Sequence, residues 1–166
     1  MQRKIIMTLT VFIMTVGILS AKKSPKKTSN IAVPASVNIT DDDVMLFAEK
    51  FPDIMVDLKA AEENNNSDEE TIRNIILEKN GFYQPDGFEK FTMIMLCFSK
   101  MKIEKELVNA PIFLQSGIVK MIQKEFDNNI NPEDEKVVRA HGDYLEEKLG
   151  KYFESDDFDG ETKNEN

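Results

Sequence analysis

Between residues 39 and 153 apolar side chains recur at steps of three and four, and no stretch keeps up period-two alternation. That pattern predicts helices and no sheet. Val44, Phe47, Ala48, Phe51, Met55 and Leu58 form the first face, and its start is marked locally. Thr40 is a capping hydroxyl, Asp41 to Asp43 place negative charge on the positive end of the helix, and Asp43 stands where a capping box needs its acid. Ile39 and Val44 occupy the positions of a hydrophobic staple. Pro52 falls inside this face, so either the helix kinks there or two helices meet.

A polar loop, Glu62 to Asn66, precedes a second box, Ser67-Asp68-Glu69-Glu70, followed by Ile72, Ile75 and Ile76. Asn80-Gly81 ends that helix, and Phe82 and Tyr83 are expected to fold back on the core. Asp86-Gly87-Phe88-Glu89 opens a third helix, whose middle, Met93 to Phe98, is apolar on every side. Such a helix belongs at the centre of a bundle and is too short to span a membrane. Pro111 fits the first turn of a fourth helix carrying Ile112, Phe113, Ile118, Val119, Ile122 and Phe126. Asn131-Pro132 caps a last helix with Val137, Val138, His141, Leu145, Leu149 and Tyr152 on one face. The expected fold is all-α, a single bundle of about five or six helices.

The ends of the chain read differently. Met1 to Lys4 is basic, Ile5 to Leu19 is almost wholly apolar, and Ser20-Ala21 leads out of the run. This is the layout of a signal peptide over 1–21. An uncleaved anchor is the alternative, because residues 5–21 reach the lower limit of a spanning helix and Leu19 is large for the −3 position. Residues 22–38, with two prolines and four lysines, read as a basic flexible linker. Lys22, Lys23, Lys26 and Lys27 could make weak contact with anionic headgroups. The helical domain is expected over 39–153, and 154–166, with six acids and one lysine, as an acidic disordered tail.

Charge narrows the partners. The whole chain carries −9, but Arg3, Lys4 and the four linker lysines face no acid before residue 39, which leaves −15 beyond residue 38. A domain so acidic repels phosphate backbones, so nucleic acid is excluded as the main partner. Arginine is scarce while lysine and asparagine are common, a skew that resembles an AT-rich bacterial genome.

Candidate chemistry is sparse. Cys97, the one cysteine, can form no internal disulfide, and its apolar surroundings would raise its pKa rather than activate it. Met93, Cys97 and Met101, at i, i+4 and i+8, share a side of the third helix and could offer soft ligands to Cu(I); as a plain core stripe they need no metal. His141, the one histidine, falls in the middle of the last apolar face and reads as a core residue with one hydrogen bond. Asp127 to Asn131 resembles the start of a calcium loop, but Pro132 and Val138 stand where Gly and Glu are needed. No phosphate loop, nucleophile elbow or zinc helix is present. No catalytic residue and no cofactor is therefore assigned. The expectation is an exported, non-catalytic binding module of the cell envelope, periplasmic or extracellular, engaging a protein or an apolar or lipid ligand. A hydrolase using two carboxylates on an envelope glycan, and a Cu(I)-binding protein, are the rival readings.

Overall fold

A computed structural model describes residues 34–63, 69–108, 124 and 126–154. The expected signal peptide, the linker lysines, most of the 111–126 helix and nearly all of the acidic tail lie outside these residues. Five helices are described: α1 (Asp41–Glu63), α2 (Glu69–Lys79), α3 (Gly87–Val108), α4 (Pro132–Ala140) and α5 (Gly142–Glu154). A helical turn at residues 126–129 leads into α4. The protein is an all-α bundle, and no strand occurs among the described residues. None of the described helices is long and apolar enough to cross a membrane.

At α1 and α4 the start signals act as the sequence predicts; Ser67 and Asp68 of the second box lie outside the described residues. The Thr40 amide donates to Asp43 Oδ2 (2.8 Å) and the Asp43 amide donates back to Thr40 Oγ1 (3.3 Å), which closes the capping box of α1. Ile39 and Val44, the staple pair, are both buried. Asn131 Oδ1 accepts from the Glu133 amide (2.8 Å), and Pro132 takes the first helical position of α4. Gly81 has φ +95°, the left-handed conformation that ends α2 without a Cβ penalty. Pro52 neither ends nor splits α1; the helix runs through it.

Both α1 and α3 touch all four other helices, so they form the central pair on which α2, α4 and α5 pack. The Met93–Phe98 stretch is buried along its whole length, as the unbroken apolar run requires. Around it Phe47 lies 5.2 Å from Phe51 and 5.1 Å from Phe91, centroid to centroid, and Phe82 meets Phe91 edge-on at 5.4 Å. Tilted and T-shaped geometries are those the ring quadrupole favours.

Three expectations are corrected. Ile75 is exposed, and the inward face of α2 is Ile76 and Leu77 with Ile72 packed beside them. The helix is short, and its rotation is set by contact with α1 and α3 rather than by its own pattern. Phe82 folds back on the core, its amide donating to Leu77 O (2.9 Å), but the next residue, Tyr83, is exposed. The last predicted helix is two: His141 is a turn residue between α4 and α5, its amide donating to Val138 O (3.1 Å).

Candidate functional site

The second half of α3 changes character. After Phe98 it carries Lys100, Lys102 and Lys105, and these meet acids brought in by the chain after residue 126. Lys100 Nζ lies 3.0 Å from Glu135 Oε2 and 3.4 Å from Asp127 Oδ1. Lys102 Nζ lies 2.8 Å from Glu146 Oε1, which Lys105 Nζ also approaches at 3.4 Å. Arg139 bridges Glu104 of α3 (2.7 Å) and Glu135 of its own helix (2.6 Å). Lys100 and Lys102 are largely buried, their alkyl stems covering the core while the ammonium groups reach carboxylates at its edge.

These pairs border an open cleft of about 320 Å³ where the end of α4 and the start of α5 cross α3. Lys102, Lys105, Arg139, Asp143 and Glu146 give it charged walls, and half-buried Met101 lies over the buried Phe98 at its base. A Cβ at Gly142 would stand 2.6 Å from the Met101 methyl, so any larger residue there would displace the flexible end of that side chain. Burial by itself would raise the Glu146 pKa. The hydrogen bond from Lys102 and the charges of Lys102 and Lys105 outweigh that and hold it below its ordinary value. Glu135 is lowered in the same way, against burial, by Lys100 and Arg139. Lys100 is correspondingly raised: burial opposes its charge, and the bonds to Glu135 and Asp127 prevail.

The residues singled out in the sequence lie in different surroundings. Met93 and Cys97 are buried in the core, whereas Met101 is half-buried in the cleft floor. Burial, then the nearby charges of Glu135 and Asp134, push the Cys97 thiol up to about 12, which opposes the thiolate a soft metal would need. Among the described residues no group of three His, Cys, Asp or Glu side chains could hold a metal ion. His141 is not the core residue expected. Its side chain is 19% exposed, and Nε2 lies 2.8 Å from Asp41 Oδ1 at the start of α1. The helix turns at residue 141, which swings the ring off the apolar face it would hold in a continuous helix. Asp127 pairs with Lys100 and Asn131 caps α4, so the segment resembling a calcium loop has structural work of its own.

Sequence reasoning passed over Lys102, Glu146 and Asp134. Lysines in the second half of an otherwise buried helix were the available signal for the first two. Asp134 looked like one more acid in a helix first turn, yet it is 2% exposed. It accepts from Ser36 Oγ (2.8 Å) and from the amides of Val37 (2.9 Å) and Ile39 (3.3 Å).

No family model matches the chain, and no curated protein or solved structure shows significant similarity to it.

Proposed function

We propose that this chain is an exported, non-catalytic binding module of the cell envelope, and that it engages a protein partner through the cleft between α3, α4 and α5. The observation that carries this reading is the make-up of the cleft: half-buried Met101 set among charged side chains of both signs, of which Lys102, Arg139 and Glu146 are held by pairing. Met and Arg are enriched at protein contacts, and pre-paired side chains lose little freedom on binding. A lipid or other apolar ligand fits the mixed charge less well. Among the described residues the large exposed apolar side chains, Met45, Val56, Ile75, Tyr83 and Tyr152, are spread over three helices and a loop. A two-carboxylate hydrolase is also less well supported. It needs one carboxyl kept protonated near neutrality, and Glu146 is pulled the other way.

Capture from envelope extract with the full chain and with Lys105→Glu tests the reading. Lys105 is 67% exposed, so the reversal changes the rim without opening the core. A partner held by the wild type and lost by the variant supports the cleft. Equal recovery by both, or glycan cleavage by the purified protein, overturns it. Export is tested by the N-terminus of the envelope form: a start near Lys22 is expected, and an intact Met1 in the membrane fraction would establish an anchor instead.

A further inference from the structure

Among the described residues, the hydrogen bonds to the Asp134 carboxylate come from the short segment ahead of α1. Ser36 Oγ donates to Oδ1, the Val37 amide to Oδ2 and the Ile39 amide to Oδ1. Beside it Asn131 Nδ2 donates to the Pro34 carbonyl (2.7 Å). Ser36 Oγ also accepts from the Asn38 amide (3.0 Å), and Asn38, at φ 54°, turns the chain so that Val37 and Ile39 can pack inward. Residues 34–39 are thus a strap seated on a nearly fully buried carboxylate, not a continuation of the linker. The same segment supplies the donors and covers the carboxylate, so losing the strap would unpair and expose Asp134 together.

We infer that this strap is a latch that sets the position of α4 and, through it, the cleft. The connection is short and physical. Asp134 opens α4. Glu135, the next residue, binds Lys100 of α3 and the Arg139 guanidinium. Arg139 and Ala140 close the helix as walls of the cleft. One helix of nine residues therefore has the strap at its first turn and the cleft at its last. Whatever acts on the chain ahead of Pro34 acts on the strap first, so releasing the strap would loosen α4 and with it the cleft wall. This regulation rests on the reading of the cleft as the contact surface, but the coupling is measured with no partner present.

The test is hydrogen exchange on the full chain, comparing wild type with Ser36→Ala and with Asp134→Asn. Ser36→Ala removes one donor to the carboxylate and leaves the backbone donors in place, so it keeps the experiment meaningful if Asp134→Asn fails to fold. The expected result is exchange about tenfold faster over 34–40 and also over 141–147, with 93–98 unchanged. Acceleration confined to 34–40 would show that the strap does not reach the cleft. Equal acceleration of 93–98 would show one cooperative unit with no latch. Either result overturns the inference and leaves the binding reading to its own experiment.

Discussion

The two halves of α3 face different worlds. Its first half, through Phe98, is packed against Phe47, Phe51 and Phe82, and contact there is apolar and closed. Its second half meets α4 and α5 through lysines and carboxylates and leaves a cleft between them. One helix therefore supplies both the anchor of the fold and the wall of the candidate site. The first half can be built from bulk apolar side chains because dispersion and burial are non-directional. The second depends on matched partners at fixed distances. Replacing a ring should therefore threaten the whole domain, and replacing an ion pair should change the surface more than the fold.

The largest effect should come from the closed half. Phe47 is fully buried between two rings, so Phe47→Ala should cost about 3–5 kcal/mol in a denaturant titration. The same change should speed labelling of Cys97, whose thiol is buried and pushed up to about 12 and so reacts mainly when the domain opens. A loss below about 1 kcal/mol would mean that the ring cluster is not the anchor.

Breaking one pair of the charged half should matter less. Lys102→Met leaves Glu146 with Lys105 alone and should cost about 1–3 kcal/mol. Adding Glu146→Leu should recover most of it, since an apolar pair avoids the desolvation that the ions suffer. A double variant as unstable as the single would show that these charges hold the helices together, which would erase the contrast between the halves.

The smallest effect per group should appear in acid. Asp43, Glu135 and Glu146 are each held below their ordinary values of 3.8, 4.5 and 4.5, against burial, by hydrogen bonds and lysine or arginine charges. A carboxyl depressed on folding stabilises the fold above its unfolded pKa, and the gain is lost as pH falls through the folded value. Melting temperature should therefore hold down to about pH 5 and decline below about pH 4.5. Two of the three groups lie on the α4–α5 side, so exchange there should rise before exchange in the Phe47 cluster. A simultaneous rise would remove the distinction.

Much of this was legible before any coordinates. The Thr40–Asp43 box, the Asn131 cap, the Gly81 stop and the apolar run of α3 each depend on residues within a turn or two of one another. The site was much less legible. Lys102 meets Glu146 across 44 positions, and Asp134 meets Ser36 across 98. Nothing in the local pattern distinguishes those residues from other lysines and acids in a strongly charged chain. Ile75 and Tyr83 fit apolar patterns yet are exposed, because the packing of α2 turns Ile76 and Leu77 inward and the loop after Gly81 seats Phe82 on the core.

The sequence by itself determined the class of the fold, most helix starts and stops, and the central place of α3. These follow from backbone hydrogen-bond geometry and hydrophobic periodicity, which act over a few residues. The tertiary structure decided where the helices turn, as at His141, which of many equivalent charges are buried, and that residues 34–39 are strapped to α4. Those outcomes depend on which distant groups arrive within hydrogen-bond distance when the bundle closes, and only the packing of the helices fixes that.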